Sequence, residues 1–237
     1  MCGGFSLIAG KNTIRKRFNA ELPEISFTPN YNARPGQHLP VILNTAPHKI
    51  IMAFWGYLPH WAVEKLLTHP LDSRSASPLK RVINARTESL AQKPFFRDSF
   101  MLRRCLIPTD GFYEWKKTPK GKQPYRILLR SGEPFSFAGI WDECTDNLGE
   151  IMPAFAIITV DANREMMKIH DRMPAILLPE EEKTWLSPDL SAHHALRILK
   201  PFPAGLLKIY PVSKLVNSPA QNNPEVIRQS NGGQGGT

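Results

Sequence analysis

Apolar positions along this chain fall into short dense runs, not the three-to-four-residue stripes of long amphipathic helices. Five runs are rich in β-branched and aromatic residues and end at Gly, Pro, Asn or Asp: residues 38–43, 50–55, 125–129, 134–140 and 155–160. They read as strands. Helical patterns are fewer. Residues 180–186 follow Pro179 and place Glu180, Glu181 and Glu182 in a first turn, where the helix dipole favours acids. Residues 189–199 and 61–67 are the other two predicted helices. No period repeats. The pattern predicts one α+β domain over 1–228, built on a central mixed or antiparallel sheet with short flanking helices. A Gly-rich, disordered tail is predicted at 229–237.

Composition agrees. Proline is 22 of 237 residues, which breaks helices and favours strands and turns. Hydrophobic residues are 42 % and charged residues 22 %, so wholesale disorder is excluded. No apolar stretch reaches the ~18 residues of a membrane helix, and no secretory signal is expected. Three widely spaced cysteines, Cys2, Cys105 and Cys144, fit a reducing compartment and neither a disulfide framework nor a zinc site. The net charge of +9 favours a polyanionic partner, although a basic soluble protein would show it too. The charge is concentrated. Residues 97–130 hold nine Lys/Arg against three acids, a local +6. Part of it reads as a solvated hairpin at Lys116–Lys122, part as a phosphate-facing loop.

Four segments carry candidate chemistry. Cys2 becomes the terminal residue if Met1 is removed, and then presents an amine and a thiol on adjacent carbons. Their ordinary pKa values are about 7.7–8.0 and about 8.5, so roughly a tenth of the amine is a neutral nucleophile at pH 7. Gly3 and Gly4 would let a ligand approach the backbone closely. In Asn84-Ala85-Arg86-Thr87-Glu88, an extended backbone would put Asn84, Arg86 and Glu88 on one face. Tyr31-Asn32-Ala33-Arg34-Pro35-Gly36 has a similar character and ends in a turn signal. In Asp110-Gly111-Phe112-Tyr113-Glu114-Trp115, Glu114 stands among aromatics, whose desolvation raises a carboxyl pKa towards general acid–base use. A surface Glu114 paired with Lys116 or Lys117 is equally compatible. In His170-Asp171-Arg172-Met173-Pro174, an extended backbone would project His170 and Arg172 to one side, a proton carrier beside a phosphate clamp.

Together these segments resemble the SOS response-associated peptidase family, also called the abasic-site processing family. The shared motifs are Met1-Cys2-Gly3, Asn84-Ala85-Arg86-Thr87-Glu88, Gly111-Phe112-Tyr113-Glu114-Trp115 and His170 to Pro174. Shorter matches include Trp55-Gly56 with Pro59 and Trp61, Ala138 to Trp141, Ile158-Thr159, and Pro211 to Ser213 with Val216-Asn217. The resemblance implies a barrel-like mixed sheet and a monomeric, cytoplasmic bacterial protein that is nucleoid-associated when bound to DNA. It implies single-stranded DNA with abasic sites as partner, including single/double-strand junctions, with no membrane partner, cofactor or metal. Cys2 would form a covalent thiazolidine with the lesion, and the family's peptidase label would refer to removal of Met1. Cys2, Asn84, Glu114 and His170 would be catalytic. Asn32, Pro35, Trp61, Arg86, Trp115, Thr159 and Arg172 would bind DNA. The family usually carries Arg where this chain has Gly4, and Lys11, Arg15 or Arg17 are candidate replacements.

Three other readings compete. An N-terminal-cysteine glutaminase also begins Met-Cys-Gly, but has no place for the His170–Pro174 and Glu114-Trp115 motifs. A non-covalent single-strand-binding module would need no Cys2. A metal hydrolase using His38, His48, His60, His69, His193 and His194 lacks ligand spacing.

Overall fold

The apolar runs His38–Leu43 and Ile50–Trp55 pair as antiparallel strands β3 and β4, at the predicted limits. The computed structural model describes residues 2–22, 28–62, 81–145 and 150–230. Of the predicted helix 61–67, residues 63–67 lie outside the described residues; 60–62 are helical. Residues 231–237 of the predicted tail also lie outside them. Gln229 of that tail pairs with Val212, and the Ser230 N–H donates to Pro211 at 2.9 Å.

Three further strands complete a closed sheet: β6 (Arg104–Thr109), β9 (Phe135–Thr145) and β10 (Ile151–Asp161). The hydrogen-bonded ring runs β10–β4–β3–β6–β9 and returns to β10. All its pairings are antiparallel except β4 with β10. Closure removes the open edges that a flat sheet would present. Beyond β4, strand β10 is lengthened by β5 (Asn84–Arg86, parallel) and β11 (Arg172–Pro174, antiparallel). The two-residue β12 (Ile176–Leu177) pairs with β9.

The second sheet is antiparallel, in the order β13 (Leu207–Pro211), β8 (Gly121–Leu129), β7 (Gly111–Thr118), β1 (Phe5–Leu7), β2 (Asn30–Ala33). The β7–β8 turn at Pro119-Lys120 is the expected hairpin, with Gly121 at φ +104. An aromatic seam joins this sheet to the barrel. Phe5 lies 5.3 Å from Trp55 and 5.9 Å from Phe137, and Phe112 lies 5.7 Å from Phe137. Each buried ring contributes about 1.5–3 kcal/mol.

Helices cover the outside: α1 (Lys11–Phe18), α2 (Thr87–Leu90), α3 (Pro94–Leu102), α4 (Pro179–Trp185) and α5 (Ala192–Ile198). In α4 the Glu181 carboxylate accepts the Leu178 N–H at 3.1 Å, the acidic first turn at work. Helix α5 is shorter than its predicted span because the Ser191 side chain caps it, accepting the His194 N–H. Among the described residues no helix is long and apolar enough to cross a membrane.

The chain passes from barrel to second sheet at Asp110, between β6 and β7. This buried carboxylate accepts the Ser6 hydroxyl at 2.7 Å, the Ala9 N–H at 3.0 Å and the Ile8 N–H, and pairs with Arg126 at 3.1 Å. Removing one partner of a buried pair strands the other in low dielectric. Asp110→Ala should therefore lower unfolding free energy by about 3–5 kcal/mol in urea titration, and a change under about 1 kcal/mol would show the network to be dispensable.

Candidate active site around Cys2

Cys2 enters the site because β1 begins three residues later and is pinned by Asp110. Its Sγ is buried and donates to the Gly4 carbonyl at 3.7 Å, while the Tyr113 N–H reaches the same carbonyl at 2.9 Å. The Asn84 side-chain amide donates to the Cys2 carbonyl at 2.9 Å. Burial pushes the Cys2 thiol up to about 12, and the neighbouring Glu114 carboxylate pushes the same way. The thiol is therefore neutral at pH 7.

Glu114 is on β7, 1 % exposed. Burial holds its carboxyl above the usual carboxylate range, against an opposing pull from the positive form of His170. The alternative of a surface Glu114 paired with Lys116 or Lys117 is thus excluded by its burial. His170 precedes β11 and is half-buried. Its Nδ1 accepts the Arg172 N–H at 3.0 Å and also lies 2.8 Å from the exposed Asp171 carboxylate. The two contacts suit different ring states: an unprotonated Nδ1 accepts from Arg172, and a protonated one donates to Asp171. Cys2, Asn84, Glu114 and His170 thus meet at one place, drawn from four distant parts of the sequence.

The other candidates divide. Arg86 is exposed on β5 beside Asn84, Pro35 is exposed in the turn after β2, and Trp115 is half-buried on β7. The Trp115 indole N–H donates to Asn217 Oδ1 at 2.8 Å. Trp61 packs edge-on to Phe95 at 6.3 Å. Asn32 and Thr159 are buried. The Asn32 amide donates to the carbonyls of Val216, Ser218 and Gln221 at 2.9–3.3 Å, so it ties the C-terminal segment to β2. Thr159 Oγ1 and Asn84 Oδ1 are buried and have no partner, positions a bound ligand would satisfy.

Two expectations from the extended motifs are corrected. Glu88 does not share a strand face with Asn84 and Arg86, because helix α2 begins at Thr87. Arg172 does not present a free fork beside His170. Its guanidinium donates to Glu88 at 2.6 Å, Asp161 at 2.6 Å and the Thr159 carbonyl at 2.6 Å. A phosphate would have to displace two carboxylates there. Those hydrogen bonds from Arg172 hold the Glu88 carboxyl below the usual range. Among the candidate replacements for the family's residue-4 arginine, Arg17 is spent on Glu182 at 2.8 Å. The cation that stands over Gly4 is Arg34, whose Nη1 lies 3.0 Å from where a Cβ on residue 4 would sit. Arg34 and Asp110 were in conspicuous segments, but nothing in the sequence gave their partners. Among the described residues no group of three His, Cys, Asp or Glu could hold a metal, and His69 lies outside them.

The family model for SOS response associated peptidase (SRAP) matches residues 1–219, and the chain belongs to that family. It is 39 % identical to the abasic site processing protein YoqW of Bacillus subtilis, over 96 % of this chain and 99 % of that one. It is 29 % identical to YedK of Escherichia coli, over 96 % and 99 % of the two chains, and 30 % identical to HMCES of Xenopus tropicalis, over 85 % and 66 %. Both carry the same description, abasic site processing protein. A crystal structure from Bacteroides thetaiotaomicron superposes with a TM-score of 0.81 at 29 % identity, covering 97 % of this chain and 100 % of that one.

The raised Glu114 pKa means that the fold favours its protonated form, so the ionised form costs stability at neutral pH. Glu114→Gln should raise the melting temperature at pH 7, and the gain should vanish as pH falls through the ordinary carboxylate range. An equal gain at both ends would disconnect it from ionisation.

Proposed function

We propose that this protein senses abasic sites in single-stranded DNA and captures them covalently through Cys2 after removal of Met1. The observation that carries the reading is the buried cluster in which Asn84 holds the Cys2 backbone beside Glu114, with His170 next to that carboxyl. The relatives' shared description, abasic site processing protein, supports the lesion as the target.

The open form of an abasic sugar is an aldehyde. The neutral Cys2 amine adds to its C1′, and loss of one water gives an imine. The sulfur then adds to the imine carbon as the thiol proton passes, by way of Glu114, to the imine nitrogen. The product is a five-membered thiazolidine, and one water is released in all. The amine acts first because imine formation must precede ring closure by the sulfur. Glu114, with its raised pKa, is suited to shuttle protons between sulfur, nitrogen and the leaving water. His170 donates to the sugar ring oxygen and opens the ring. Arg86, Trp115, Trp61 and Pro35 form the DNA-facing rim in this proposal; Asn32, Thr159 and Arg172 shape it from beneath. The protein acts as a monomer and binds the lesion on a single strand or at a junction. An abasic nucleotide has no base to unstack, so its exposure costs little.

A short single-stranded oligonucleotide bearing one abasic site should give a shifted band on a denaturing gel with wild type. Cys2→Ala and undamaged DNA should give none. No band from a protein with its Met1 removed would overturn covalent capture and favour the glutaminase or plain-binding readings. Removal of Met1 is itself assigned to the same cluster, with Cys2 as nucleophile and Glu114 assisting. Intact-mass measurement should find Met1 retained in Glu114→Ala, and complete loss of Met1 would exclude that assistance.

A further inference from the structure

Arg34 is a cation without a counter-ion. Among the described residues no carboxylate lies within 4.0 Å of it, unlike Arg17 and Arg126, which have one each, and Arg172, which has two. One guanidinium N–H donates to the Gly3 carbonyl at 3.2 Å and another to the Val216 carbonyl. Its Nε is buried and finds no acceptor. An arginine has five donors, so most of this fork is unspent. The group lies 5.4 Å from the Trp115 ring centre, and it covers Gly4, two residues from the Cys2 thiol. Burial lowers the Arg34 pKa and so marks the charge as partly desolvated. A half-buried, uncompensated guanidinium flanked by an aromatic ring is built to take a planar or tetrahedral oxyanion in two hydrogen bonds.

We propose that Arg34 binds the DNA phosphate next to the captured sugar, from the space over Gly4 that a side chain on residue 4 would otherwise occupy. This rests on the DNA-lesion reading above. Gly4 leaves room for Arg34: a Cβ there would sit 3.0 Å from Nη1 and 3.2 Å from Cζ, so the guanidinium would have to give by a few tenths of an ångström. The two positions form one steric and electrostatic unit, in which a cation can be delivered from β2 or from the N-terminal segment, but not from both.

The test uses Cys2→Ala protein, so that binding is non-covalent, and a single-stranded oligonucleotide carrying a stable tetrahydrofuran abasic analogue. Dissociation constants are measured across 50–200 mM KCl. Adding Arg34→Gln should weaken binding roughly tenfold and reduce the salt slope by about 0.7, the loss of one phosphate contact on a single strand. Arg34→Lys should keep the slope. Gly4→Arg alone should lower the melting temperature through collision with Arg34, whereas Gly4→Arg combined with Arg34→Ala should restore both melting temperature and slope. An unchanged slope in a folded Arg34→Gln protein, or a double variant no better than Arg34→Ala, would overturn the proposal. Covalent capture by wild type in the gel assay with such a flat result would sink this inference alone. Absence of any binding by Cys2→Ala protein would sink it together with the DNA reading.

Discussion

The Asp110 carboxylate holds the chain's first residues where they can act. It sits at the corner where the barrel becomes the second sheet and accepts from Ser6, Ile8, Ala9 and Arg126 at once. Three of those donors belong to the segment that starts at Cys2. The first residues of a domain are ordinarily its loosest part. Here they are drawn between β7 and β2 and share the aromatic seam of Phe5, Trp55 and Phe137. Placing the rest of the site depends on that anchoring, because Asn84, Glu114 and Arg34 each act on Cys2 or its neighbouring glycines.

The polar groups around Cys2 are arranged against the fold's own stability. A buried carboxyl with a raised pKa and a buried Asn84 oxygen without a partner are both unfavourable in a resting protein. Elsewhere buried charges are matched: Arg17 with Glu182, Arg126 with Asp110, Arg172 with Glu88 and Asp161. The partnerless Asn84 oxygen, on the side chain that holds the Cys2 backbone, is a position where a substrate can complete the bonding.

The sequence was most legible where one strand face had to be buried. Residues 38–43 and 50–55 are dense apolar runs bounded by turn residues, which give β3 and β4 at their limits. Three-residue strands such as β1 and β5 carry too little pattern, and their pairing depends on distant partners. The Asn84–Glu88 motif looked extended throughout; the turn into α2 at Thr87 follows from tertiary contacts that no local rule conveys. For Arg172, a residue type suited to phosphate was legible, and the two carboxylates that occupy it were not: Glu88 lies 84 positions away. Motif resemblance supplied Cys2, Asn84, Glu114 and His170 as a set, and the structure brings those four together. The meaning of Arg34 comes from its position above Gly4, a proximity between segments 30 residues apart that no local pattern conveys.

The order in which the chain is made bears on the cluster's wide sequence separations. Cys2 is made before the groups that gather around it, which come from residues near 34, 84, 114, 170 and 216. Contacts of that separation form late, since each closes a long loop. The strand order β13–β8–β7–β1–β2 places the two ends of the chain in one sheet, so it is incomplete until residue 211 has emerged. A nascent chain therefore carries the Cys2 thiol for most of synthesis without the carboxyl and imidazole beside it. Chemistry that needs all three together waits for folding.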